Sequence, residues 1–423
     1  MANNNCNDDV NIHGYVASGW EIVRTAFEKN FIDGLDIGAS VCVYHRGQCV
    51  INLSGGWKDV QHREEPYTSQ TLQLVFSATK GVTAAAIALC VDRGWLDYDE
   101  PVAEYWPEFG ENGKENITVG ELMSHRGGLP CVDEPLTLDD VCNWSRMTSL
   151  LATQKPYWQP GTTHGYHAVT IGFLAGELVR RVDPKHRSFG EFVRDELDNE
   201  FYIGVPYDEI EARVAPLIKK IILTRTPLPP MDILTQKALS CSGAFPMEPP
   251  SSTSIVFNKT ELHRAQIPAA NGITNARTLA RIYARLIGDV HENGETKPCF
   301  ITEKTLTKAT TSVTPKDEPD RILFGVTSNF ARGGFHAYGN YFKAFTTGVF
   351  GHKGNIGWIK LTISTITFLY FFLIGMGGSC ALAYPPYQLS FAHVCNHLDF
   401  SVPTLDPRTV RLIQAIETVL SHH

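Results

Sequence analysis

The sequence LVFSATKGVTAAAIALCVDR, at residues 74–93, decides the fold prediction. From Ser77 onward it is rich in alanine and carries apolar residues at helical spacing, which predicts a helix over residues 77–93. Gly94 follows, and glycine commonly ends a helix. Ser77 and Lys80 are three residues apart, so on this helix their side chains lie on one face and meet.

An S-x-x-K pair at the start of a helix suits nucleophilic catalysis. A serine hydroxyl is a poor nucleophile until a base takes its proton. Lys80 can be that base if burial and the positive helix N-terminus lower its pKa, and the same helix end offers N–H groups to an oxyanion. The motif alone is weak, since a chain of this length contains it by chance about once. The alternative is a solvated surface lysine.

Tyr166 is the second candidate and lies in the glycine-flanked sequence GTTHGYHA, residues 161–168. A phenol there can share or relay the proton of Ser77 if its pKa is lowered. The alternative is a packing tyrosine whose hydroxyl has a hydrogen-bond partner.

The third candidate is FGHKGN, residues 350–355. An edge strand here lets substrate bind along its main chain. His352 can donate to a substrate oxygen, and the Asn355 N–H can complete an oxyanion hole. The alternative is a glycine-rich turn with an exposed histidine.

The pattern along the chain changes from strands to helices and back to strands. Strands are predicted at residues 37–44 and 49–53, helices at 117–124 (with Thr118 as a cap), 169–182 and 276–287, and a proline-rich surface excursion at 227–250. Strands follow at 322–328, 345–350, 379–384 and 389–394, the last two as a hairpin, before a closing helix at 407–420.

This order predicts an α/β (α+β) fold in which an antiparallel sheet is built from the N- and C-terminal segments and flanked by helices. Residues 1–94 and 301–423 form the sheet domain, and residues 95–300 form a mainly helical insert.

Composition excludes several functions. The 423 residues carry a net charge of −8 without a run of five like charges, so the chain lacks the basic face of a nucleic-acid binder. The ten cysteines form no C-x-x-C pair and the histidines no H-E-x-x-H motif, so we expect no metal and no cofactor. The N-terminal residues resemble neither a secretory signal nor a transit peptide, which predicts an intracellular, reducing location.

The three candidate motifs together, in this order, resemble the serine β-lactamase and penicillin-binding-protein family, with its class C-like branch, family VIII esterases and LACTB-like proteins nearest. Supporting matches are LSGGWKD (53–59), LVFSATKGVTAAAI (74–87), ELMSHRGGLP (121–130), WQPGTTHGYHAVTIGFLAGELVRR (158–181), AANGITNARTLARIYARL (269–286) and FGHKG (350–354).

The resemblance implies an acyl-enzyme mechanism. It assigns Ser77 as the acylated nucleophile, Lys80 as the proton acceptor and Tyr166 as the base of the second motif. It places His352, Lys353 and Gly354 at the K-T-G strand, with an oxyanion hole formed by the N–H groups of Ser77 and Asn355.

Two departures from the family pattern bear on the substrate. Tyr166-His167-Ala168 lacks the asparagine of Y-x-N, and His352 replaces the lysine of K-T-G, which removes a permanent charge that pairs with a β-lactam carboxylate. The sequence therefore predicts a hydrolase of esters or small amides. The alternative is a catalytically impaired scaffold or self-assembling protein, and a homo-oligomer is left open.

Residues 361–376 form an uncharged apolar run, the one candidate membrane span in the chain. The run is short for a membrane helix and rich in threonine and β-branched residues, so a membrane partner is not expected. Deleting residues 356–376 joins HKGN to GGSCALAY and restores the family's continuous strand pattern. Our hypothesis is an in-frame insertion, and with it impaired activity of this chain.

Overall fold

The computed structural model describes residues 10–59, 64–220, 231–246, 252, 254–325, 327–337, 348–353, 362–363, 366–367, 378–398 and 406–421. Within these ranges, strands from both ends of the chain form one antiparallel sheet in the order β1-β3-β2-β7-β6-β5-β4. The strands are β1 (Ile12–Val16), β2 (Gly38–His45), β3 (Gln48–Gly56), β4 (His336–Ala337), β5 (Phe350–Lys353), β6 (Cys380–Tyr384) and β7 (Leu389–Cys395). The predicted fold class is confirmed.

The two ends of the chain meet where β2 pairs with β7, from Ala39 opposite Cys395 to His45 opposite Leu389. Because successive side chains of a strand point to opposite faces, β2 contributes to two cores. Val41 and Val43 face a core that includes both terminal helices, whereas Cys42 and Tyr44 face the larger core around the Ser77 helix.

Helices cover both faces of the sheet. Those named below are α1 (Glu21–Ile32), α2 (Thr79–Asp92), α4 (Val119–Met123), α10 (Ile233–Leu239), α12 (Ala276–Ile287), α13 (Glu303–Thr310) and α14 (Pro407–Leu420). The others are α3 (Val102–Tyr105), α5 (Leu138–Cys142), α6 (Trp144–Thr153), α7 (Thr170–Val182), α8 (Phe189–Glu196), α9 (Asp208–Glu211) and α11 (Thr260–Arg264).

Short elements complete the described fold. Strand pairs join Gln73–Leu74 to Ile273–Thr274, Ile218–Lys219 to His397–Leu398, Val290–Glu292 to Glu295–Lys297, and Thr362–Ile363 to Ile366–Thr367. Single 3₁₀ turns occur at Phe76–Ala78, Pro107–Phe109, Val256–Asn258 and Pro385–Tyr387.

Most predicted elements are confirmed. They are the strands β2 and β3, the C-terminal hairpin of β6 and β7, the closing helix α14 and the helices at 77–93, 117–124, 169–182 and 276–287. Thr118 caps α4, since its side chain accepts the Glu121 N–H. β1 and α1 were not predicted.

The strand predicted at 322–328 is wrong. Residues 321–325 form a turn, because the buried Asp320 carboxylate accepts the N–H groups of Ile322 and Leu323. The apolar side chains in this run fill a buried cluster beneath Tyr166 rather than the face of a sheet.

Two other predictions concern residues that the structure describes only in part, and a third is not tested. Residues 345–347 of the predicted strand 345–350 lie outside the described residues, and β5 begins at Phe350. The excursion at 227–250 contains α10, while 227–230 and 247–250 lie outside the described residues. The division into domains 1–94 with 301–423 and 95–300 stays a prediction.

Most of the 356–376 segment also lies outside the described residues. The strands on either side of it pair directly, with Lys353 of β5 opposite Cys380 of β6. The sheet thus ends at Lys353 before the segment and resumes at Cys380 after it, at paired positions. No helix in the described part of the chain is long and apolar enough to cross a membrane.

Candidate active site

Ser77 lies in a tight turn that enters α2. Phe76, just before it, has a positive φ of 44°, which is uncommon for a residue other than glycine. Strand pairing holds the turn from one side, and the Val75 N–H donates to the Gly272 carbonyl at 2.8 Å. Thr79 Oγ1 also accepts the Gly272 N–H at 2.9 Å. The backbone of Gly272, far from Ser77 in the sequence, thus holds the turn that positions Ser77.

Lys80 is buried, with its Nζ 3.2 Å from Ser77 Oγ. Nζ also donates to the carbonyl oxygens of Ala168 at 2.7 Å and Ala269 at 2.8 Å. Burial holds the pKa of Lys80 well below its usual value. Among the described residues no carboxylate forms an ion pair with Lys80, which distinguishes it from a structural salt-bridge lysine. The predicted alternative of a solvated lysine is wrong.

Tyr166 approaches Ser77 from the opposite side. Its hydroxyl donates to Ser77 Oγ at 2.9 Å, and Lys80 Nζ lies 4.8 Å from the centre of its ring. The lowered pKa that a base role requires is not found: burial raises the pKa of Tyr166, although the hydrogen bond to Ser77 opposes this. Tyr166 is therefore a neutral phenol.

His352 lies on β5, which runs beside α2. A Cβ added to Gly81 of α2 would lie 1.8 Å from the Tyr283 hydroxyl and 3.3 Å from the Cβ of His352, so glycine is needed mainly for Tyr283 and also leaves room for His352. His352 is only 3% exposed and pairs with Ala381, which contradicts the alternative of an exposed turn histidine. β5 is the penultimate strand, but the pairing of β4 stops at Gly351, before His352.

The rest of the predicted oxyanion site is covered only in part. Lys353 ends β5, and Gly354 and Asn355 lie outside the described residues. The Ser77 N–H has no backbone acceptor among the described residues, as expected for the first turn of a helix. Ser77, Lys80, Tyr166 and the strand of His352 are thus brought together, and the role of Asn355 stays a prediction.

Buried polar residues that the sequence analysis did not select surround Tyr166. Asp320 accepts its N–H at 3.1 Å, and the fully buried His164 lies 3.0 Å from a carboxylate oxygen of Glu318. His125 contacts the Tyr166 ring. Among these residues, only His125 has an unusual local sequence position, because it follows a predicted helix at the place where glycine is common. The local sequence gives no indication of the contact between Asp320 and Tyr166, because the two residues are 154 positions apart.

A group suited to a metal ion by residue type lies elsewhere: Asp36, His393 and Cys395 are the candidates within the described ranges. Asp36 already accepts from Arg408 at 3.2 Å and lies 3.2 Å from His393 Nε2. Because the guanidinium already supplies the compensating positive charge, this cluster fits a buried ion pair better than a metal site.

Known proteins match this chain over most of its length. The beta-lactamase family model matches residues 27–415. The esterase/beta-lactamase LipL of Mycobacterium tuberculosis is 35% identical over 336 residues, 76% of this chain and 73% of LipL.

Solved structures agree over a longer stretch. A family VIII carboxylesterase superposes with a TM-score of 0.77 at 30% identity, covering 96% of this chain and 99% of the other. A penicillin-binding protein homologue from Caulobacter crescentus gives a TM-score of 0.77 at 32% identity with the same coverage. The family match, the fold and the arrangement around Ser77 together show that the chain belongs to the beta-lactamase family.

Proposed function

We propose that this serine hydrolase cleaves esters or small amides through an acyl-enzyme on Ser77, with Lys80 as base and Tyr166 as a neutral proton donor. One observation carries the proposal. Ser77 Oγ lies within hydrogen-bond distance of both Lys80 Nζ and Tyr166 Oη, and all three side chains are buried. The alternative of a catalytically impaired scaffold is not favoured.

The surroundings of Lys80 suit a neutral amine. A neutral amine has two N–H groups and one lone pair. The carbonyls of Ala168 and Ala269 accept the two N–H groups, which leaves the lone pair to accept the Ser77 hydroxyl proton. Burial lowers the pKa of Lys80 and so favours this neutral form, which can act as the general base.

Tyr166 supplies the complementary proton. As Ser77 Oγ attacks the carbonyl carbon, its proton passes to Lys80. When the tetrahedral intermediate collapses, the Tyr166 phenol protonates the leaving oxygen or nitrogen, and the Lys80 ammonium returns a proton to the phenolate. Water then attacks the acyl group, with the same groups acting in reverse. The raised pKa of Tyr166 supports this role, because an acid must hold its proton until the leaving group needs it.

The backbone N–H of Ser77 stands at the N-terminal end of α2, where N–H groups and the helix dipole favour a developing oxyanion. The second donor remains the proposed N–H of Asn355, with His352 donating to a substrate oxygen.

Esters and small amides fit the site better than β-lactams. Ala168 offers only a methyl group where the family pattern has asparagine, and a buried histidine occupies the K-T-G lysine position. Relatives named as esterases, LipL and the family VIII carboxylesterase, support the same choice. An intracellular location and a homo-oligomer stay predictions from the sequence.

The test combines labelling with a substrate screen. Purified protein is treated with a fluorophosphonate probe, and the adduct is located by peptide mass spectrometry. Ser77→Ala should abolish labelling. Ser390→Ala is the matched control, since Ser390 is a buried serine that donates to the Ala280 carbonyl, and it should label like the wild type.

p-Nitrophenyl esters of increasing acyl length, small amides and nitrocefin then give the substrate class, with esters expected to be fastest. A folded wild-type protein that gives no adduct on Ser77 would overturn the proposal.

A further inference from the structure

His125 occupies an unusual backbone position next to the site. It follows Ser124, the C-cap of α4, and has a positive φ of 63°. The left-handed region is mainly used by glycine and asparagine at this place in a helix. His125 is nevertheless only 1% exposed, so a bulky side chain is kept in a conformation that disfavours it.

The left-handed turn directs two acceptors of His125 towards the Tyr166 loop. Its carbonyl oxygen accepts the Gly165 N–H at 3.2 Å, and its ring Nδ1 accepts the His167 N–H at 3.1 Å. Asp320 accepts the intervening Tyr166 N–H. Three successive N–H groups are thus bound, and His125 holds both neighbours of Tyr166.

The ring of His125 also packs on Tyr166. The two ring centres are 5.3 Å apart, and the His125 ring lies 4.2 Å from that of Phe330. Phe330 in turn stacks on Tyr166 with an interplanar angle of 9°. The three rings thus form one cluster, with the His125 and Phe330 rings on the same side of the phenol, and the Tyr166 hydroxyl is directed at Ser77 Oγ.

The same contacts fix the tautomer of His125. A ring nitrogen that accepts an N–H carries no proton itself, so the proton of the neutral ring is on Nε2. Burial holds the pKa of His125 well below its usual value. The ring remains an acceptor at neutral pH.

We propose that His125 is a positioning residue that fixes the Tyr166 hydroxyl on Ser77 through both chain neighbours of Tyr166. The inference rests on the proposed function, because these contacts of His125 serve catalysis only if Tyr166 transfers a proton. It predicts that His125 affects the acylation rate only while Tyr166 has its hydroxyl.

Two substitutions separate the acceptor from the bulk of the side chain. In His125→Asn, Oδ1 takes the place of ring Nδ1, and asparagine tolerates a positive φ. His125→Leu has the same branched outline as asparagine, with methyl groups in place of the amide oxygen and nitrogen, and therefore offers no acceptor. If the leucine variant gives no folded protein, His125→Ala replaces it.

The measurement uses two substrates. The burst amplitude with a p-nitrophenyl ester counts the folded sites, and the rate constant for a small anilide, whose leaving nitrogen needs a proton, reports acylation. For H125L we expect a rate constant per titrated site about 10- to 100-fold below the wild type, with KM changed less than about threefold, because small misplacement of a catalytic group has large effects. H125N should stay within about fivefold.

The decisive control is a double-mutant cycle with Tyr166→Phe. If His125 acts through the Tyr166 hydroxyl, H125L should not lower the acylation rate constant any further in the Y166F background. Equal losses in both backgrounds, or a loss of burst amplitude with an unchanged rate constant, would overturn the inference. A wild type without a Ser77-dependent burst would instead reject the proposed function.

Discussion

Replacing Lys80 with methionine should make the protein more stable and nearly inactive. If Lys80 is neutral in the folded chain at pH 7, folding removes a proton from a group whose ordinary pKa is about 10.4. At about 1.4 kcal/mol per pH unit, that deprotonation costs about 5 kcal/mol. Lys80→Met removes this cost but leaves the carbonyls of Ala168 and Ala269 without their donor, at about 1–3 kcal/mol each. We expect a net change of roughly −1 to +3 kcal/mol at pH 7, which is a gain over most of that range.

The pH dependence tests the reasoning more sharply than the net value. Burial lowers the folded-state pKa of Lys80, so between that pKa and about 10.4 the unfolded chain holds a proton that the folded chain lacks. The wild-type free energy of unfolding therefore gains about 1.4 kcal/mol per pH unit from this group. This contribution is complete above the unfolded pKa and is lost as pH falls through the folded pKa. The advantage of K80M should shrink by about 3 kcal/mol between pH 7 and pH 9.

The assay is urea unfolding at pH 7, 8 and 9, followed by tryptophan fluorescence, together with fluorophosphonate labelling. Lys304→Met on α13 is the control, because Lys304 is exposed and its removal should leave the pH profile unchanged. Acylation by K80M should fall about 10²- to 10⁴-fold, the usual contribution of a general base. A K80M-minus-wild-type difference that stays constant from pH 7 to pH 9 would refute the neutral amine.

Three further predictions follow from other parts of the structure. Tyr166→Phe should slow amide hydrolysis by about 10²- to 10⁴-fold in steady-state assays and p-nitrophenyl ester hydrolysis much less, because p-nitrophenolate leaves without a proton. Deleting residues 356–376 shortens the β5–β6 connection from 26 residues to five, so closure should cost about 1.5 kcal/mol less and the melting temperature should not fall. Arg408→Met should cost about 3–5 kcal/mol in urea unfolding, because it leaves the buried Asp36 without its cation, and Asp36→Asn should restore part of the loss.

Each has an outcome that contradicts it. Equal losses of Y166F on esters and amides would remove Tyr166 as the proton donor. A deletion variant without folded protein would reject the insertion hypothesis. An R408M variant as stable as the wild type would mean that the Asp36 ion pair contributes little to folding.

The sequence predicts the fold well because the strands near both ends and the helix at Ser77 carry clear local patterns. Ser77 and Lys80 are three residues apart, so their contact follows from helix geometry. Tyr166 and His352 are candidates from their local sequences, but only the combined resemblance relates them to Ser77, since nothing local brings them near it.

The remaining features depend on distant contacts. The pKa of Tyr166 rises because the folded chain buries this side chain, and the local sequence does not predict that burial. Residues 322–328 have a strand-like composition, but the carboxylate of Asp320 bends them into a turn. His125 acquires its partners through a positive φ that histidine rarely adopts.

The pairing of β2 with β7 also sets the earliest point in translation at which the sheet can be completed. Ribosomes add about 5–20 residues per second, so β2 waits tens of seconds for the strand that completes its edge. Until then an apolar strand edge is open to other chains. A chain released before residue 389 already carries Ser77 and Lys80, yet it lacks the centre of the sheet. Translation at least through residue 395 is thus a condition for activity, and earlier termination should give insoluble chains rather than a smaller hydrolase.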